Sequence, residues 1–343
     1  MRPNFTILLL LLSSLIVQTA IGQTTFKEDT AQVNSWNNKS KDFCPSDKIK
    51  ALLYSDSAYV LSKKIKYLSG NAYSIMYRGL AHDYASDFDS AIVNYKLSIV
   101  EFKKCNNDKG IGRAYNNMGI AYQFQGKHSK ATSCYLKSIP YFKSVDYFKG
   151  VASCLNNLGI IARQASDYTH ALDYYKESLI YKARIQDREG EMLTLTNISS
   201  MYIYLNDFEE ALKYTNQATI IAVEINSPAL NEKHIDKAII YNGLEEYSKA
   251  KKEFRIALKL CSTDTLNSIS SSVLCAAYVG LASTFLNETS LDSAEFYFNQ
   301  ALRLLNNSDN AYSRLEVLRG LSEVHKSKAN YKLSLDFLEI YNE

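Results

Sequence analysis

GRAYNNMGIAYQFQGKHSKATSCYLKSIPYF, residues 112–142, is answered by GVASCLNNLGIIARQASDYTHALDYYKESLIY, residues 150–181. Gly119 corresponds to Gly159, Ala131 to Ala171 and Tyr135 to Tyr175, each pair 40 residues apart. Within each copy, small and large apolar residues recur at intervals of three and four, which puts them on one stripe of a helix. A fixed period of this length, built from two helical halves, marks stacked helical hairpins rather than one closed core. The spacing predicts an all-α solenoid.

The period extends in both directions from this pair. The small residue of the second half recurs at Ala91, Ala131, Ala171, Ala211, Ala250, Ala294 and Ser334, which marks about seven hairpins over residues 71–343. Residues 46–70 read as a capping helix, opened by Ser46 or Asp47 and presenting Leu52, Leu53, Ala58, Leu61 and Ile65 at helical spacing. Residues 23–45 are polar, carry the sole tryptophan, Trp36, and read as a flexible leader. Only 4 Pro and 13 Gly occur in 343 residues, which favours long helices joined by short turns. An apolar share of 46% against 22% charged excludes wholesale disorder.

The first 22 residues read as a secretory signal. Arg2 supplies the positive start, Ile7 to Val17 is apolar apart from Ser13 and Ser14, and Ala20 and Gly22 are the small residues of a cleavage site. An apolar run of that length reaches about half of a ~30 Å hydrocarbon core, so no stable span is expected after cleavage. The expected location is outside the cytoplasm, periplasmic or secreted. Without Arg2 the mature chain has 38 basic and 36 acidic side chains, and its one mild excess, seven lysines between Lys39 and Lys66, suits a solvated cap. No nucleic-acid partner is expected. Of the six cysteines, Cys134 and Cys154 fall on consecutive antiparallel helices and are the pair that a disulfide would join.

The residues of the hairpins resemble the tetratricopeptide repeat. Its pattern of a large residue, Leu-Gly, Tyr, Ala, aromatic and Ala is matched by Tyr115, Met118-Gly119, Tyr122, Ala131, Tyr135 and Ser138, and again by Leu155, Leu158-Gly159, Ala162, Ala171, Tyr175 and Ser178. The family's usual period is shorter, and the extra residues here are expected between hairpins, as at Lys104 to Gly110. The resemblance implies a right-handed superhelical solenoid whose first helices line a concave face that holds a protein or peptide. A signal peptide with long repeats also resembles exported bacterial repeat proteins, including sensory halves of receptors whose output lies elsewhere. A purely architectural part of an envelope complex is the third reading.

On that face the sequence places a column of amides: Asn116 with Asn117, Asn156 with Asn157, and Thr196 with Asn197. A side-chain amide both donates and accepts, which suits the backbone of an extended partner; the same residues could instead tie neighbouring repeats together. Arg113 and Arg163 could hold a carboxylate, and Tyr84, Phe124 and Tyr204 would add aromatic walls, as would Tyr73. No phosphate loop, zinc-binding His-Glu-x-x-His or Gly-x-Ser-x-Gly elbow occurs, so no catalytic residue, cofactor or metal is predicted. His82 and His325 fall at packing positions, and His128 and His170 in turns. At the other end Leu333, Leu335, Phe337, Leu338 and Ile340 cannot all face the preceding hairpin, which makes this edge a candidate for self-association. Intact-mass measurement of the exported protein is expected to give a chain starting at Gln23; a membrane-bound mass retaining Met1 to Gly22 would overturn that reading.

Overall fold

The computed structural model describes residues 25–263, 268–305 and 311–342, and all of its regular structure is helical. A first helix, α1 (25–43), pairs with α2 (Lys48–Lys64). Seven hairpins follow: α3 (Leu68–Tyr84) with α4 (Phe88–Lys104), α5 (Asp108–Phe124) with α6 (His128–Lys143), α7 (Phe148–Gln164) with α8 (Tyr168–Arg184), α9 (Arg188–Tyr204) with α10 (Phe208–Glu224), α11 (Leu230–Gly243) with α12 (Tyr247–Thr263), α13 (Ser268–Asn287) with α14 (Leu291–Leu305), and α15 (Ala311–Ser327) with α16 (Tyr331–Asn342). The chain divides into two compact units, residues 1–161 and 162–343.

The extra length of the repeat lies in the helices. Most span 17 residues, about 25 Å at 1.5 Å per residue, and turns of about three residues join them both within and between hairpins. In the turns from α2 to α11 one residue takes the left-handed conformation, and it recurs every 20 residues at Lys66, Ser86, Asn106, Gly126, Asp146, Ser166, Gln186, Asn206 and Asn226. The residue after it works on two helices at once. The Asp87 backbone N–H closes α3 by donating to the His82 carbonyl at 2.9 Å, while its carboxylate caps α4 by accepting from the Ser90 N–H at 3.3 Å. Asp47, Asn107, Asp167, Asp187 and Asp207 cap their helices in the same way.

Packing repeats with the same period. Tyr95, Tyr135 and Tyr175 are completely buried, as are Ala91, Ala131, Ala171 and Ala211. Small residues let the two helices of a hairpin approach, and the aromatic ring fills the space left beside them. At Gly119 a Cβ would lie 2.6 Å from Cε1 of Tyr135, closer than packed carbons tolerate, so the ring's position requires glycine there. In unit 2, Phe254 and Phe298 take the place of the tyrosines and are buried as deeply.

One sequence expectation changes here. The supposed flexible leader is α1, which buries Val33, Asn37 and Ser40. Its polar residues are ties: Asn37 Nδ2 donates to the Gly70 carbonyl at 3.0 Å and Ser40 Oγ to the Ala51 carbonyl at 2.8 Å. Val33, Asn37, Ser40 and Cys44 form a narrow stripe of helical spacing whose polarity masked it. All six thiols are free, Cys134 and Cys154 included. Cys154 donates to Asn116 Oδ1 at 3.3 Å, and burial pushes the Cys134 thiol up to about 11 and the Cys154 thiol up to about 12. At the last hairpin Phe337 stacks on His325 with centroids 5.5 Å apart, whereas Leu333, Leu335, Leu338 and Ile340 stay exposed.

Among the described residues eleven left-handed positions carry a side chain, at a cost of about 1–2 kcal/mol each that glycine avoids. Gln186 is exposed and has φ +56. Gln186→Gly is therefore expected to raise stability by about 0.5–1 kcal/mol after glycine's greater unfolded-state entropy is counted, and Gln186→Ala to raise it little. The urea midpoint of each variant measures this.

Candidate functional site

In unit 1 the first helices α3, α5 and α7 share one face, and a cavity of about 270 Å³ opens on it. Its floor is apolar: Met76, Tyr77 and Leu80 of α3, with Phe142 and Gly150. Asn116, Asn117 and Arg113 of α5 form one wall, Lys149 and Ser153 of α7 another, and Lys41 enters from α1. Tyr147, in the turn before α7, completes it. Three cations line the cavity and no acid does.

Arg113 is held in place. Burial opposes its charge, but the hydrogen bond to the Tyr147 hydroxyl favours the guanidinium, whose pKa lies above its ordinary value. Its Cζ lies 5.5 Å from the centre of the Tyr147 ring, which Lys109 also approaches with Nζ at 4.3 Å. Burial raises the Tyr77 hydroxyl's pKa, with the Arg113 charge working against the shift, so the phenol stays protonated as a donor. The cavity is at the small end of ligand sites, large enough for one or two side chains of an extended chain.

The amides divide by role. Asn116 accepts from the Cys154 thiol, a tie between successive first helices that leaves its N–H₂ group to donate. Asn157 hydrogen-bonds the Tyr135 hydroxyl, which also donates to Gln123 Oε1 at 2.8 Å. Asn117 lines the cavity, and Asn156 is half-buried on α7 outside the cavity lining. In unit 2, Asn197 is half-buried beside Thr196, whose hydroxyl accepts from the buried Lys233 ammonium at 2.9 Å; Lys233 also pairs with Asp236 at 2.7 Å. Arg163 is exposed, and its charge lowers the pKa of Tyr175, a phenol that burial raises more strongly. Tyr84, Phe124 and Tyr204 stand exposed at the C-terminal ends of α3, α5 and α9, away from the cavity lining. Phe124 stacks on Phe88 and Tyr204 on Tyr168 with centroids 5.7 and 4.8 Å apart, so these rings serve as ties at the turns.

Lys41, Tyr147, Lys149 and Ser153 were not singled out from sequence. The 40-residue offset leads from Arg113 to Ser153, from Asn117 back to Tyr77 and from Lys109 to Lys149, and so could have found three lining residues. Lys41 lies before the repeats and carries no such signal. Three of the five histidines form close acid pairs, His82 with Asp87 at 2.8 Å, His170 with Asp167 at 2.7 Å and His234 with Glu253 at 2.6 Å. Among the described residues no cluster of three or more His, Cys, Asp or Glu could hold a metal, and no helix is long and apolar enough to cross a membrane.

A sequence model of the tetratricopeptide repeat matches residues 110–179 and 150–222. Residues 110–222 therefore consist of tetratricopeptide repeats, and the helical hairpins on either side continue the same architecture. The apo form of the quorum sensor NprR from B. thuringiensis superposes with a TM-score of 0.65 at 16% identity, covering 92% of this chain and 98% of that one. RapI in its apo form gives 0.63 at 13% identity over 79% of this chain and 96% of its own. A signal transduction ATPase with numerous domains and a tetratricopeptide repeat sensor, from Pyrococcus horikoshii, gives 0.66 at 15% identity, over 92% of this chain but 47% of its own. At such identities the likeness is one of fold. No curated protein matches the chain.

One polar substitution along the repeat has a measurable effect. Tyr95 donates to Asp83 Oδ2 at 3.0 Å, where the next hairpin pairs Tyr135 with the neutral Gln123. Burial pushes the Asp83 carboxyl up to about 6 from an ordinary 3.8, against the hydrogen bond from Tyr95. The folded chain thus holds this proton more tightly than the unfolded one, and stability falls as pH rises through that interval. Asp83→Asn keeps an acceptor for Tyr95 and is expected to melt higher than the parent at about pH 7.5, with the two converging at about pH 4. Thermal melts at both pH values check it; an equal difference at each would assign the effect to packing.

Proposed function

We propose that the chain is a non-catalytic module that binds an extended protein or peptide segment through the face of its first helices, with the cavity of unit 1 as the anchoring point. The observation that carries this reading is the cavity's composition: an apolar floor beside Asn116 and Asn117, rimmed by Lys41, Arg113 and Lys149 with no lining acid. The amides suit a peptide backbone, the floor one apolar side chain, and the cations a carboxylate beside it. The mature chain would act outside the cytoplasm, on the strength of residues 1–22, which lie outside the described residues.

A sensory role is the second reading, with binding relayed to a separate output. It is favoured by two of the similar folds, one described as a quorum sensor and one as carrying a tetratricopeptide repeat sensor. For either reading the test is selection of a displayed random peptide library against the full chain, followed by affinity measurement of the enriched peptides. Arg113→Ala and Asn117→Ala are each expected to weaken binding about tenfold, the equivalent of one charge-assisted or amide hydrogen bond, with little change in melting temperature. Peptides that bind both variants as well as the parent would refute this site.

A further inference from the structure

The outer helices of unit 1 carry a second repeated pattern. Lys63 of α2, Lys103 of α4 and Lys143 of α6 are exposed and stand 40 residues apart. Three residues before each, on the same helix face, come Val60, Val100 and Pro140, so a column of cations runs beside a column of apolar side chains. Val60 is 66% and Val100 52% exposed, values that packing inside the unit does not explain. Leu53 of α2 and Val93 and Leu97 of α4 are exposed on the same side.

Exposed charge on these helices is mainly positive, although the half-buried Glu101 pairs with Lys104 at 2.6 Å. Each of the three exposes three lysines, nine altogether, whereas the exposed acids are Asp56 and Asp89. Asp56 is paired with Arg78, and Asp89 accepts from Gln125 at 2.9 Å. No arginine is exposed on α2, α4 or α6. In α8 and α10 the positions equivalent to the lysine column are Ala183 and Val223, so this column stops after α6 although Ile180 and Ile220 continue the apolar column.

We infer that the outer face of α2, α4 and α6 docks on an anionic lipid surface. Arginine forks suit defined carboxylate pairs, whereas lysines on long flexible stems suit the diffuse field of a headgroup layer. Isolated aliphatic side chains standing between those lysines supply the second half of a peripheral membrane contact, entry to the boundary between headgroups and acyl chains. Neither half alone gives lasting attachment, and their side-by-side columns deliver both to the same plane.

Co-sedimentation of the full chain with vesicles tests this. Vesicles of about 30% phosphatidylglycerol in phosphatidylcholine are compared with phosphatidylcholine alone, each at low salt and at about 0.5 M NaCl. Binding through the apolar residues 7–17 would be common to both vesicle types, so the readout is the difference between them. The parent is expected to bind the anionic vesicles at least tenfold more tightly, with the gain lost at high salt. Replacement of Lys63, Lys103 and Lys143 together, by Glu in one variant and by Gln in a second, is expected to remove most of that gain with helical content unchanged. Val60→Ser with Val100→Ser should weaken binding while leaving its salt dependence. Equal binding to both vesicle types, no loss in the lysine variants, or binding to polyglutamate without binding to anionic vesicles would overturn the proposal.

Discussion

Everything regular in this chain depends on a turn of three residues in which one residue takes a left-handed backbone and the next closes one helix while opening another. Because Asp87 and its equivalents satisfy both helix ends, no connecting loop is needed, and the repeat divides into two halves of 20 residues. Equal halves keep the helices of unit 1 nearly equal in length, so Tyr95 meets Gly79 and Tyr135 meets Gly119 in successive hairpins. Tyr95, Tyr135 and Tyr175 are buried for this reason rather than by local hydrophobicity.

The repeat, its register and its core were legible in the sequence because small and aromatic residues at fixed spacing leave helices few ways to pack. The location of the extra length was not. A period of 40 was read as a long link between hairpins, yet left-handed residues such as Gln186 and Ser86 are ordinary exposed side chains with no glycine to announce a turn. α1 escaped for a related reason, since the middle of its buried stripe is Asn37 and Ser40, whose value lies in partners that only the fold supplies.

The candidate site was partly legible. Period alone led to the amide column and Arg113, but it could not separate amides that face a cavity from those that bind a neighbour. Asn117 and Asn157 occupy the same place in successive hairpins, and the difference between them is that Asn157 hydrogen-bonds the Tyr135 hydroxyl. Aromatic residues misled in the opposite direction. Phe124 and Tyr204 have the exposure expected of a binding wall, but stack on Phe88 and Tyr168 at the turns.

Lys41 gives α1 a part in the cavity that the repeats cannot supply for themselves. The helix is tied down by Asn37, Ser40 and the Tyr67 hydroxyl bond to Asn34, and it stands at the end of unit 1, where stacked hairpins open most readily. An occupant that draws on Lys41 binds only chains whose α1 is docked, so docking and occupancy become linked equilibria. A substitution at Val33, in contact with no ligand, would then be felt as a loss of apparent affinity through the fraction of chains that are competent to bind.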